Sequence, residues 1–178
     1  MKEIAELVDK HVVALIACGK SKLDLDDGET APAKDLYTSA YFGLKWDFSD
    51  VFCDESFILS AKHNLLSPEE QIEYYNASLT KRHDSYIGDE AVEIWGDDTC
   101  CELEEYEQQK PENVDIAYVI LASGNYVDQI NPFLNGKCVI HPFEERDFSG
   151  NGDQMGWMKE QIEGHTSKDQ AEISSDWG

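Results

Sequence analysis

Lys20 and Lys22 in the loop Cys18-Gly-Lys-Ser-Lys22, and Lys62 and His63 in the loop Ala61-Lys-His-Asn-Leu-Leu66, are the residues whose types and placement best suit chemistry. Each loop follows a short apolar run, His11–Ala17 in the first case and Ser56–Ser60 in the second. Open α/β sheets bind their ligands just beyond the carboxyl ends of the strands. Amines in that position attract an anion, a phosphate first of all, and His63 adds a group that exchanges a proton near neutral pH. A single lysine-bearing loop is ordinarily a solvated turn. The signal lies in their recurrence within a chain that carries 37 Asp and Glu against 14 Lys and Arg, for a net charge of −23.

A third loop, Ser123-Gly-Asn-Tyr126, follows the apolar run Asp115–Ala122 and supplies small and hydroxyl-bearing groups. The first loop ends Gly-Lys-Ser as a Walker A loop does, but Ala14 occupies the position of that motif's first glycine, so the loop is too short to wrap a triphosphate. It suits one phosphate or a base edge, held through backbone amides. Tyr75 is the aromatic candidate for stacking on a base. Glu144, after the short run Lys137–His141, is the candidate carboxylate for acid–base work or for stabilising an oxocarbenium ion. Gly150 and Gly152 precede a helical segment whose N-terminus could receive an anion.

The elements that must position these groups alternate along the chain. Strands are expected over residues 11–17, 56–60, 115–122 and 137–141. Helices are expected over 35–48 with Asp35 as N-cap, from Pro68 onward, over 84–108 with a break near Gly96, over 126–134 limited by Pro132, and over 153–162. This alternation predicts one α/β domain over residues 1–164, with a mainly parallel central sheet flanked by helices, and a polar tail over 165–178.

The acidity is spread along the whole length rather than gathered in a tail. Dispersed carboxylates keep a protein hydrated in concentrated salt, which points to the cytoplasm of a salt-accumulating halophile or of a virus infecting one. The alternative is an acidic protein that mimics nucleic acid or binds cations. No apolar run approaches the roughly 20 residues that span a membrane, and the N-terminus is charged and amphipathic, unlike a signal peptide. The five cysteines have no C-x-x-C spacing and the five histidines no metal-binding spacing. Free thiols, no metal and no cofactor are therefore expected.

The segments Cys18–Leu23, Pro32–Phe42, Ile58–Pro68, Tyr74–Leu79, Val119–Tyr126 and Pro142–Trp157 together resemble a family of uncharacterised domains from bacteria, archaea and their viruses. That family is similar in outline to the peroxide-stress proteins and to the uracil-DNA-glycosylase-like domain of archaeosine synthases. The resemblance implies an α/β fold and the handling of a nucleobase, nucleoside or nucleic acid. The chain departs from the family pattern at Asn64, where glycine is usual and Asn must take up the left-handed backbone region, and at Glu145–Ser149, beside Glu144.

The expected ligand-binding set is Gly19, Lys20, Ser21, Lys22, Tyr37, Ser60, Tyr75, Ser123, Gly124 and Tyr126, and the expected catalytic set is Lys62, His63 and Glu144. The leading expectation is an N-glycosidase or base-exchange enzyme acting on a nucleoside, nucleotide or nucleic acid. The alternatives are a non-catalytic module that binds the same ligands, and an interaction protein whose loops do not converge. The dispersed charge also carries a prediction. Self-repulsion is strongest where the Debye length is long, roughly 30 Å at 0.01 M salt. The melting temperature should therefore rise between dilute buffer and molar potassium chloride, and a flat profile would remove the halophile reading.

Overall fold

In the computed structural model, which describes the backbone of residues 2–175 and the side chains of residues 4–166, a short turn of helix, α1 (Lys2–Ala5), leads into β1 (His11–Ala17). The run Val-Val-Ala-Leu-Ile-Ala has no polar position to turn toward water, and Val13, Ala14, Leu15 and Ile16 are closed to solvent. A strand of this kind needs a strand on each edge and a helical layer on each face.

The chain continues through β2 (Thr30–Pro32), α2 (Ala33–Leu36), α3 (Ala40–Phe52), β3 (Glu55–Ser60), β4 (Asn64–Leu66), β5 (Gln71–Glu73), α4 (Asp89–Gln108), β6 (Ile116–Leu121), α5 (Gly124–Leu134), β7 (Cys138–Ile140) and α6 (Asn151–Ser175). The main sheet has the order β4-β3-β1-β6-β7. β3, β1, β6 and β7 run parallel, with Leu15 between Phe57 and Ile120, and β4 returns antiparallel to β3. β2 and β5 form a separate antiparallel pair. Val12, Ala14 and Ile16 share one core with Phe42, Phe48 and Met158 of α3 and α6. Val13, Leu15 and Ala17 share the other with Trp95, Leu103, Ile130 and Phe133 of α4 and α5. The fold is thus a single α/β domain with a mostly parallel sheet between two helical layers. No described helix is long and apolar enough to cross a membrane.

Several elements differ from the sequence expectation. The helix expected over 35–48 is two helices, because Tyr37–Ser39 is drawn into extended contact with the Lys20–Lys22 loop. Thr38 donates its amide to the Ser21 carbonyl at 3.0 Å, and Leu23 donates to Leu36 at 2.8 Å. Ser39, not Asp35, caps α3, its hydroxyl accepting from the Phe42 amide at 3.1 Å. No helix starts at Pro68. The carbonyls of Pro68 and Glu70 instead accept the amides of Lys34 and Ala33 at 3.0 and 2.8 Å, which holds the segment extended against the first turn of α2. The last helix runs to Ser175 and so takes in most of the segment expected as a tail, with His165 edge-on to Phe52 at 5.3 Å; residues 176–178 lie outside the described residues. Asn64 does take up the left-handed region, with φ 58°. Its side-chain amide donates to the Trp95 carbonyl and the Thr99 hydroxyl, both at 3.0 Å, fixing β4 to α4.

α4 does not break at Gly96. The glycine sits where α4 crosses α5, and a Cβ there would lie 2.9 Å from the Gln129 carbonyl oxygen. The helical cost of glycine, about 1 kcal/mol against alanine, is accepted because the helices could not otherwise approach so closely. Gly96→Val should therefore destabilise the fold by about 1–3 kcal/mol through overpacking, read as a lowered denaturant midpoint at fixed salt. An unchanged midpoint would mean that α4 and α5 do not pack as described.

Candidate functional site at the carboxyl edge of the sheet

β1 connects through α3 to β3 on one side, while β6 connects through α5 to β7 on the other. The loops after β1 and β6 therefore part in opposite directions and leave a crevice at the strand ends, the position where doubly wound sheets bind ligands. A cavity of about 430 Å³ occupies it. Cys18–Lys22 form one wall, Ser123, Asn125 and Tyr126 at the start of α5 another, and Ser39, Tyr41, Phe42 and Lys45 of the α3 region the floor. The segment Asn76–Ser85 contributes Arg82 and His83 from above. Within it the Ser78 hydroxyl meets His83 Nδ1 at 2.9 Å, and Asn125 at the start of α5 holds it by donating its amide to the Thr80 hydroxyl at 3.1 Å.

Of the residues expected from sequence to bind ligand, Gly19, Lys20, Ser21, Lys22, Ser123 and Tyr126 line this cavity. Tyr37, Ser60 and Tyr75 stand beneath it as a buried chain of hydroxyls. Ser60 donates to Tyr75 at 2.8 Å, and Tyr75 meets Tyr37 at 2.6 Å. Tyr75 is only 4% exposed, with the Lys22 ammonium 4.5 Å from its ring centroid. It supports Lys22 from below, so the base-stacking face expected of it is covered. Partial burial also lowers the pKa of Lys22, although the Cys18 thiol opposes that shift. Gly124 is the first residue of α5 and does not itself line the cavity.

Lys62, His63 and Glu144 do not line it either. Lys62 is exposed on the turn after β3. The amides of Lys62 and His63 donate to the Ser60 hydroxyl at 3.3 and 3.1 Å, and the His63 ring meets Tyr75 edge-on at 5.3 Å. Burial lowers the pKa of His63, helped by the nearby Lys62 charge and opposed by Glu70. Its Nε2 is buried without a hydrogen-bond partner. Glu144 lies 3.7 Å from His141 Nδ1 and is largely exposed.

Sequence reasoning missed Lys45, Tyr41, Arg82 and His83. Lys45 is 3% exposed, yet no carboxylate pairs with it among the described residues. Its Nζ donates to the Ala17 carbonyl at 2.9 Å and lies 4.6 Å from the centroid of the Tyr41 ring. Burial brings its pKa down to about 8, against a smaller opposing influence of Cys18. Tyr41 in turn is held by its hydroxyl on Gln154 of α6, and desolvation raises its pKa to about 12. Cys18 Sγ and the Tyr126 hydroxyl are 3.1 Å apart across the cavity wall. The signal for Lys45 was a lysine spaced three residues from Phe42 and Phe48 on the buried stripe of an otherwise apolar helix. For Arg82 it was rarity, since the chain has only two arginines.

An α/β sheet with helices on both faces and a cation-lined crevice at its topological switch point is a domain of the doubly wound class. The chain belongs to the family described as a family of unknown function (DUF6884), which matches residues 13–160. No curated protein matches it. Among the described residues, no group of three or more His, Cys, Asp or Glu could hold a metal ion, and all five cysteines are free thiols.

The buried amine carries a pH signature. The native chain gives up the Lys45 proton near pH 8, while the unfolded chain keeps it to the ordinary lysine value of 10.5. Between those values the unfolded state binds more protons, so the Lys45 contribution to stability rises with pH. The stability of the native protein minus that of Lys45→Met should grow by about 3 kcal/mol from pH 7.5 to 10.5, measured by denaturant unfolding at fixed salt. Parallel curves would show that the amine is not buried as described.

Proposed function

We propose that the cavity binds a phosphate-bearing, base-containing ligand, either a nucleotide or a nucleotide unit of a nucleic acid, and that the protein acts on the N-glycosyl bond of that ligand. One observation carries the binding part. The 21 residues that line the cavity include four of the chain's 14 Lys and Arg and none of its 37 Asp and Glu. Three other clefts are each lined by at least one carboxylate, Glu102, Asp128 and Glu112 among them. Excluding acids from one concavity on so acidic a protein is a feature of an anion site rather than of a generic surface. The starts of α3 and α5 border the same space, and helix N-termini favour negative charge. Tyr41, Phe42 and Tyr126 add aromatic surface suited to a base. The resemblance to the peroxide-stress proteins and the uracil-DNA-glycosylase-like domain supports a base-bearing ligand on independent grounds.

The same absence of carboxylates favours a second reading, binding without turnover, because Glu144 stands outside the cavity. The two readings separate in the release of free base, followed by chromatography. For binding itself, nucleotides, matched nucleosides and short oligonucleotides titrated at molar salt should divide by phosphate. Phosphate-bearing ligands should bind at least about tenfold tighter than nucleosides. Lys20→Ala, Lys22→Ala and Arg82→Ala should each lose about tenfold, the effect of one charge-assisted hydrogen bond. Equal affinity for nucleotide and nucleoside, or no affinity for any of them, would overturn the proposal.

A further inference from the structure

Cleavage of an N-glycosyl bond is served by a group that meets C1′ as positive charge develops there: a water activated by a general base, commonly a carboxylate, or a nucleophile on the protein. The cavity holds no carboxylate. Its stronger nucleophiles are Cys18, His83 and Lys45. The Cys18 thiol is shared with the Tyr126 hydroxyl at 3.1 Å, and His83 Nδ1 is engaged by Ser78 at 2.9 Å. Lys45 Nζ uses one proton on the Ala17 carbonyl and has no carboxylate partner.

We propose that Lys45 is the nucleophile of this site, its amine attacking C1′ of a phosphate-bearing glycosyl substrate and passing through a covalent imine. The inference rests on the reading of the cavity as a phosphate and base site. The geometry suits it in three ways. Lys45 lies on the cavity floor, at the end of β1, where a sugar would sit between the cations of Cys18–Lys22 and the aromatic wall. The Ala17 carbonyl fixes one N–H, and the Tyr41 and Phe42 rings lie 4.6 and 5.9 Å away, so the side chain is held rather than free to swing. Finally, the groups that face the amine are Cys18 and these two rings, none of them a carboxylate that would keep it protonated. Burial leaves part of it uncharged near neutral pH, which is the condition for a lysine nucleophile.

The step balances without an oxidant or reductant. The Nζ lone pair forms a bond to C1′. The C1′–N bond breaks with its electron pair on the base, which leaves with one proton from Nζ. The C1′–O4′ bond then opens, O4′ takes the second Nζ proton, and the imine results. Water adds to C1′ and releases an aldehyde sugar and the free amine, so the net reaction is hydrolysis.

The imine can be reached from the product side, which avoids knowing the base. Ribose 5-phosphate and an oligonucleotide bearing one abasic site both present a C1′ aldehyde with phosphate. Each is incubated with the full chain at molar salt, reduced with sodium borohydride, digested and mapped by mass spectrometry. A reduced adduct on Lys45 with either probe is the expected result, and the probe that succeeds tells a nucleotide substrate from a nucleic acid. Lys45→Arg should lower the adduct yield at least a hundredfold, and a melting curve shows whether that variant is folded; the mapping on the unaltered protein does not depend on it. An adduct confined to Lys20 or Lys22, or none with either probe, overturns the assignment. Inorganic phosphate, followed by amide chemical shifts, tests the underlying reading separately. If phosphate binds and Lys45 stays unmodified, only the nucleophile is wrong. If phosphate does not bind, the cavity reading falls and the inference with it.

Discussion

Val13, Ala14, Leu15 and Ile16 are shut off from solvent on both faces of the sheet while β3 and β6 occupy both edges of their strand. The need to bury β1 completely governs the remaining architecture. It calls for a helical layer on each side, α3 with α6 and α4 with α5. Parallel neighbours on both edges require crossover connections. Because the connections after β1 and β6 depart to opposite sides, their loops cannot cover the strand ends, and the cavity is what remains between them. The crevice is thus a by-product of how the central strand is hidden, and Cys18–Lys22 on its wall are the first residues past the buried strand.

The parallel strands β1, β3 and β6 were legible because their composition leaves little choice, each lying within a residue or so of its expected limits, whereas β2, β4 and β5 fall in segments expected as loop or helix. Elements whose fate depends on a neighbour were not legible. Gly96 reads locally as a breaker, but its role is set by the Gln129 carbonyl on another helix. Pro68-Glu-Glu reads as a helix start, but its carbonyls are claimed by α2. For the site, the loops after β1 and β6 could be found because they follow strands. For Arg82 rarity was the one hint and for His83 there was none, since the segment that carries them reaches the cavity by a path with no periodic pattern. Lys45 was readable in principle, as a charge on a buried stripe, but its spacing alone gives no hint that the Ala17 carbonyl waits at its end.

Charge is distributed unevenly between the two ends of the sheet. At the amino end, Glu55 accepts from His11, Tyr106 and Lys110, Glu107 pairs with Lys137, and Lys10 meets Asp115. Cations there are matched by acids. At the carboxyl end, Lys20, Lys22, Lys45 and Arg82 gather with no acid among the lining residues. Lys22 and Lys45 lie instead over tyrosine rings, at 4.5 and 4.6 Å, which soften the cost of burying an amine without neutralising it.

That arrangement sets an unusual entry problem for an anion. Far from the surface, an approaching phosphate meets the field of a body with net charge −23 and is repelled, whereas the charged residues lining the crevice are Lys20, Lys22, Lys45 and Arg82. Salt shortens the reach of the outer repulsion, to about 10 Å at 0.1 M, while the partly enclosed inner attraction is screened less. Association should therefore quicken as ionic strength rises, the reverse of ordinary electrostatic steering, in which opposite charges draw together fastest in dilute solution. An anion bound in such a crevice would be admitted as salt suppresses the protein's own long-range field, not drawn in by an attractive field projected from it.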